Sequence, residues 1–363
     1  MGMKRTLFLS PHDINSIAET VGIDTLMDEL IDRLHHAFKQ FDSSKTQIPR
    51  RQGFSYSHPR LGLLEWMPIL DVGSQMLMKM VGYHPQNPSV SGIPTILSTF
   101  SLYDVSTGEL LAIVDGTLLT ALRTGAASAV ASRLMAKPES SSIGIVGCGA
   151  QAITQLHAMS RIFDVRLVRF YDIDNKTCKS FRQRCPFLDT SIDFIESPLE
   201  QIIEEADIVC VATSIDVGAG PVFKEITTRP HLHINAVGSD FPGKIELPIE
   251  LLNRSYVSPD CYEQAIKEGE CQQLPITQIG KSLTQLLQDG TQTTLRLSNT
   301  VFDSTGWALE DYIVTQLFLA HAHRLNIGQS LHSGSWNKDP KNPYEFLHSE
   351  TLNTSHRHTG VTE

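Results

Sequence analysis

A short apolar run, Ser142–Val146, leads into Gly147-Cys148-Gly149-Ala150-Gln151-Ala152, and helical apolar spacing then continues to about residue 162. A strand that turns through G-x-G into a helix brings backbone N–H groups and the positive end of a helix dipole to one point, where a pyrophosphate can sit. Alone, G-x-G is a weak signal, since a tight strand–helix turn with no ligand can also use glycine. Here a second apolar run, Val165–Tyr171, ends in Asp172, 25 residues after Gly147. An acid there suits the hydroxyls of an adenosine ribose and repels a 2′-phosphate, so the pattern favours NAD over NADP. The usual third glycine is Ala152, a small departure.

The surrounding chain fits this reading. Further buried-type strands are expected at 208–212 and 231–237, alternating with helices as in a parallel sheet covered on both faces. Residues 13–41 carry apolar positions at helical spacing (Ile14, Ile17, Val21, then Leu26, Leu30, Leu34, Phe38), broken near Gly22. Residues 54–115 read as β-rich: short apolar runs punctuated by Gly and Pro, with a hairpin turn at Ser106-Thr107-Gly108-Glu109. A helix of small residues is expected over 117–136, and a long apolar helix over Trp307–His323. At 363 residues, two domains are the natural expectation. The predicted class is α/β, a Rossmann dinucleotide-binding domain (136–299) inserted into a β-rich α+β domain (1–135 plus 300–340) for substrate binding and dimerisation. A polar tail follows over 341–363. The cleft between the domains is the expected active site.

A net charge of −10 without any Lys/Arg block argues against a nucleic-acid partner. The six cysteines show no CxxC or Cys/His ligand spacing, so neither zinc nor a disulfide framework is expected, and a reducing compartment fits. The apolar stretch near the N-terminus is too short for a signal peptide, and no window approaches the roughly 18 apolar residues that would span a membrane. These points predict a soluble, cytoplasmic protein whose partners are small molecules or other protein chains.

Three charged residues sit in unusual surroundings. Lys79 interrupts the apolar strand Met76-Leu77-Met78-Lys79-Met80-Val81. Its ammonium either reaches water from a sheet edge or points into a polar cavity. Arg123 lies on the small-residue helix, as a helix-start ion pair or as a clamp for a carboxylate. Asp240, in Gly238-Ser239-Asp240-Phe241-Pro242-Gly243-Lys244, follows a strand of the dinucleotide domain. It either makes an Asx-turn before Pro242 or faces a ligand at the strand end.

Six ordered segments carry a family resemblance: MPILDVGSQMLMKMVGYHPQN (67–87), VDGTLLTALRTGAASA (114–129), GIVGCGAQA (144–152), HINAVGSDFPGKIEL (233–247), KEGECQQLP (267–275) and FDSTGWALED (302–311). The chain resembles the ornithine cyclodeaminase/mu-crystallin family over most of 48–320, and its 268–275 run looks most like the bacterial ornithine cyclodeaminases. The resemblance implies a redox-neutral conversion of L-ornithine to L-proline and ammonia. NAD would take a hydride from the α-carbon and return it to the cyclic imine Δ1-pyrroline-2-carboxylate. It assigns Lys79, Arg123 and an upstream arginine, Arg51 in preference to Arg50, to the substrate carboxylate, and Asp240 to proton transfer with the amino groups. Glu65 would recognise a distal ammonium, or else is an ordinary strand residue, and Gly306 would contact substrate. Cofactor contacts are expected from Thr95, Arg123, Gly147, Gly149, Ala150, Gln151, Asp172, Thr213, Val237, Gly238, Ser239 and Thr305. A homodimer is implied. Relatives with net redox chemistry, such as alanine dehydrogenases and ketimine reductases, and mu-crystallin-like binding proteins remain alternatives.

Overall fold

The structure is a computed structural model that describes residues 5–290, 293–333 and 339–345. Most of the expected polar tail, 346–363, lies outside these residues.

The chain opens with β1 (Thr6–Leu9), α1 (Pro11–Val21) and α2 (Ile23–Lys39). Ser10 caps α1, its hydroxyl accepting from the Asp13 N–H while the Asp13 carboxylate accepts from the Ser10 N–H. The break between the two helices is Gly22, at φ +89°. Then come β2 (Thr46–Gln47), β3 (Gln52–Tyr56), β4 (Gly62–Asp71), β5 (Gln75–Tyr83), the short α3 (Asn87–Ser91), β6 (Ile96–Asp104) and β7 (Leu110–Asp115). With β15 (Gln329–Leu331) they form an eight-stranded, mostly antiparallel sheet of order β15-β1-β7-β6-β5-β4-β2, with β3 also on β4. The β6–β7 turn is closed by Asp104, whose carboxylate accepts from the Ser106 and Thr107 N–H groups. Period-2 alternation decides which side chains enter the protein. Glu65, Met67, Leu77, Lys79 and Phe100 point inward and are buried, while Leu64, Met80 and Leu97 are exposed on the other face.

After α4 (Thr117–Met135) the second sheet begins with β8 (Ser142–Val146), α5 (Ala150–Ile162), β9 (Leu167–Tyr171), α6 (Asn175–Phe181), β10 (Asp193–Glu196), α7 (Leu199–Glu205), β11 (Ile208–Val211) and β12 (His233–Ala236). It is completed by α8 (Ile249–Asn253), β13 (Tyr256–Pro259), α9 (Tyr262–Glu268), α10 (Leu283–Asp289) and β14 (Thr300–Asp303). All seven strands are parallel, in the order β10-β9-β8-β11-β12-β14-β13. This is the doubly wound Rossmann arrangement, with a switch in strand order beside β8. β14 lies inside this sheet between β12 and β13, so the chain leaves it after Asp303, four residues beyond the expected boundary at 299. It then runs into α11 (Ala308–Leu325) and returns to the first sheet as β15. Among the described residues no helix is long and apolar enough to cross a membrane.

A continuous apolar core joins α1, α2, α4, α5 and α11 to the inner faces of both sheets. Helix α4 is buried along almost its whole length, which explains its small residues. At Gly125 a Cβ would lie 2.4 Å from the Thr154 carbonyl oxygen of α5, so the two helix backbones touch there. Gly125→Val is expected to destabilise the protein by about 1–3 kcal/mol through overpacking. The check is thermal unfolding; an unchanged midpoint would mean that the helices separate without cost.

Candidate active site

The carboxyl ends of the parallel strands open onto a cavity of about 970 Å³ that is closed on its far side by the inner face of the antiparallel sheet. The glycine turn forms one wall. Gly147 has φ +86°, and a Cβ there would meet the Ala212 carbonyl oxygen at 2.7 Å, so both conformation and space demand glycine. Gly149 caps α5 without any side-chain hydrogen bond, has nothing within 4 Å of where a Cβ would sit, and lines the cavity with Ala150 and Gln151. The start of a 13-residue helix is therefore left open to the cavity. Asp172 ends β9 as expected, but its carboxylate is engaged in bracing the turn: Oδ2 accepts from the Cys148 N–H (2.7 Å) and Oδ1 from the Asp174 N–H (2.8 Å). Arg184 lines this end of the cavity and donates to the Cys148 carbonyl oxygen at 2.8 Å, a contact that no local pattern announces.

Deeper in, Lys79 and Arg123 meet. β5 is an inner strand, so Lys79 takes the cavity alternative rather than the edge; it is 1% exposed. Its Nζ donates to Asp311 Oδ1 at 3.0 Å, and Arg123 Nη1 donates to Glu310 Oε2 at 2.7 Å. Arg123 Nε lies 3.1 Å from the same Asp311 oxygen. Both acids belong to the first turn of α11, where the helix dipole favours negative charge. Burial, opposed by Asp311 and helped by Arg123, lowers the Lys79 ammonium to about 8. Burial raises Glu310 to about 8, although Arg123 pulls it the other way. Gly306, at φ +85°, leaves room for the guanidinium, since a Cβ would lie 2.7 Å from Arg123 Nη1. Its N–H donates to Asp260 Oδ2, and Thr305 Oγ1 donates to Asp260 Oδ1.

A second charged group gathers around Arg51. Its Nε donates to Glu268 Oε1 and its Nη2 to the Asp240 carbonyl oxygen, both at 2.7 Å; Glu65 Oε2 lies 3.9 Å from Nη1. Arg51 thus reaches this cavity, whereas Arg50 lines a separate surface hollow beside it. Burial raises both Glu65 and Glu268, with Asp240 adding to the effect and Arg51 opposing it. Asp240 lines the cavity and accepts from Lys244 Nζ at 2.9 Å.

The loops after β11 and β12 are tied by Glu246, a fully buried acid. It accepts from the Thr213 N–H and hydroxyl (both 2.7 Å) and from the Gly238 N–H (2.8 Å). Of the residues expected to touch the cofactor, Thr95, Thr213, Val237, Gly238 and Thr305 also line the cavity. Three expected cofactor residues do not: Gly147 and Asp172 shape the turn from behind, and Ser239 is fully buried with its hydroxyl donating to the Lys244 carbonyl oxygen. The partners that sequence reasoning missed are Glu310, Asp311, Glu246, Glu268 and Lys244. Only the first two left a local sign, an acidic pair opening an otherwise apolar helix.

The fold and this cavity define a Rossmann-type α/β protein with paired cations and acids facing an open helix start. The chain belongs to the ornithine cyclodeaminase/mu-crystallin family, whose model matches residues 12–323. It is 38% identical to an L-lysine cyclodeaminase of Streptomyces rapamycinicus over 94% of this chain and 100% of the relative. It is 34% identical to an ornithine cyclodeaminase of Agrobacterium fabrum over 84% of each. Among solved structures, a lysine cyclodeaminase studied for its recognition of L-lysine, L-ornithine and L-2,4-diaminobutyric acid superposes with a TM-score of 0.90 at 42% identity, covering 94% of this chain and 99% of that one. An archaeal alanine dehydrogenase dimer with bound NAD gives 0.80 at 31% identity, covering 91% and 100%. The family therefore includes lyases and dehydrogenases alike.

Proposed function

We propose that this chain is an NAD-dependent cyclodeaminase that closes an L-α,ω-diamino acid on itself with loss of ammonia, converting L-ornithine to L-proline. The observation that carries this is the division of charge within one cavity. Lys79 and Arg123 offer cations for a carboxylate, while Glu65 and Asp240 line the same cavity beside Arg51, which Glu268 pairs from the neighbouring hollow, and ammonium groups are stabilised there.

The residues present fit a dinucleotide. The left-handed Gly147, the open space at Gly149 and the uncapped start of α5 suit a pyrophosphate, and Thr213, Val237, Gly238 and Thr305 line the path onward to the charged groups. Asp172 would serve the ribose only with its current backbone contacts kept or exchanged. NAD, as found in the alanine dehydrogenase relative, would supply a hydride acceptor for the substrate α-carbon and a donor for the cyclic imine in the same turnover. The chain's own residues do the rest. Lys79 and Arg123 hold the α-carboxylate and draw electron density from the neighbouring imine carbon. Asp240 takes a proton from the distal ammonium, so that the free amine attacks that carbon, and returns it to the departing ammonia. With no net redox change, the enzyme is a lyase. L-Lysine is the second substrate to consider, because the lysine cyclodeaminase relative is more similar (38%) than the ornithine cyclodeaminase one (34%).

The test is purified protein with NAD and L-ornithine or L-lysine, without reductant. The saturated cyclic amino acid (L-proline from L-ornithine) and ammonia should form while the NADH absorbance stays flat; steady NADH accumulation would identify a dehydrogenase instead. The exposed apolar face of the antiparallel sheet, with Leu64, Met80 and Leu97, is the surface on which we place a second copy, in keeping with the dimeric alanine dehydrogenase relative.

A further inference from the structure

We infer that Lys244 is a positioning residue for the proposed reaction, pairing with the Asp240 carboxylate and holding it aimed into the cavity before substrate arrives. The inference rests on the proton-transfer role proposed for Asp240.

Lys244 is not an ordinary surface lysine. Its side chain is 8% exposed, against 39% for its partner Asp240, and the Nζ–Oδ1 distance is 2.9 Å. The ammonium also sits 5.1 Å from the centroid of the Tyr83 ring, across from the antiparallel sheet. Its backbone is fastened on three sides. The N–H donates to the Phe241 carbonyl oxygen at 3.0 Å, and the carbonyl oxygen accepts from the Ser239 hydroxyl and from Gln272 Nε2. The loop 238–244 is therefore a closed ring. Its two functional side chains, four residues apart, point at one another and both reach the cavity.

The surroundings make a counter-charge necessary. Asp240 shares its neighbourhood with two further carboxylates, those of Glu65 from β4 and Glu268 from α9, which repel its own. Arg51 works against them, but its guanidinium is spent on Glu268 and on the Asp240 carbonyl oxygen rather than on the Asp240 carboxylate. Tyr83, from β5, and Glu246 face Lys244 itself. Burial works against the ammonium, yet Asp240, Tyr83 and Glu246 together hold Lys244 above its usual range, so it stays cationic wherever the enzyme works. A cation in direct contact lowers a carboxylate by about 1–3 pH units. Lys244 keeps its proton throughout; the one that moves passes between substrate nitrogen and Asp240.

The experiment measures kcat/KM for the diamino acid as a function of pH in the holoenzyme. Variants are Lys244→Met, Lys244→Gln and Lys244→Arg, with Asp240→Asn beside them and NAD binding recorded for each as the sign of a folded site. In the two neutral variants the acidic limb should move up by about 1–2 pH units, and arginine should restore it. A purely structural role would lower activity evenly across pH, and an unmoved limb in a variant that still binds NAD overturns the inference. So does a shift that arginine fails to reverse. If Asp240→Asn turns over normally, the role of Asp240 itself falls, an outcome separate from the other two.

Discussion

Asp240→Asn is expected to lower turnover of the diamino acid by on the order of 10²–10⁴-fold, the usual contribution of a general acid–base group. The amide keeps the size of the carboxylate and can still face Lys244, but it cannot take a proton from an ammonium. NAD affinity should be unchanged, because Asp240 lies with Arg51 and Lys244 rather than with the turn that opens α5. Single-turnover kinetics, together with cofactor titration, separates the two. A variant retaining more than a tenth of parental turnover would move the proton-transfer role to Glu65 or Glu268, the other carboxylates near Arg51.

Arg123→Ala should have the largest effect on stability. Glu310 and Asp311 have fully buried side chains, and Arg123 touches both. Lys79 remains for Asp311, but Glu310 is left without a cation. Removing one partner of a buried pair costs about 3–5 kcal/mol, because Glu310, already raised to about 8 by burial, must then keep its charge in a poor dielectric or take up a proton. Adding Glu310→Gln to Arg123→Ala should recover part of the loss, since a neutral amide needs no counter-ion. Denaturant unfolding of the two variants and the parent measures both effects. Equal stability of Arg123→Ala and the parent would show that water reaches the α11 start and replaces the guanidinium.

Much of the fold was legible because it depends on neighbours in sequence. Helical spacing and Gly22 marked α1 and α2, short apolar runs set off by Gly and Pro marked β4 to β7, and the G-x-G turn with Asp172 marked the start of the parallel sheet. The site was legible wherever a charge broke an apolar pattern, as at Lys79 and Arg123. What could not be read were the partners across the chain. Lys79 meets Asp311 at a separation of 232 residues, and Arg51 meets Glu268 at 217. No local window carries such a contact, and Glu268 looks like any other acid near the end of a short helix. Ser239 and Asp172 show the converse. The dinucleotide pattern marked Asp172 and the family resemblance marked Ser239 for cofactor contact, and each also carries hydrogen bonds that hold the protein's own loops. Whether a strand-end polar group serves ligand or backbone depends on which N–H and carbonyl groups the turn leaves unpaired, and that is decided in three dimensions.

The placement of the two acids on α11 also ties distant parts of the chain to one point. Lys79 comes from β5 of the antiparallel sheet, Arg123 from α4, and Glu310 and Asp311 from α11, which follows the last strand of the parallel sheet. A chain cut before Ala308 would leave both cations without these carboxylates, so the last long helix supplies charge to the cavity as well as apolar surface to the core.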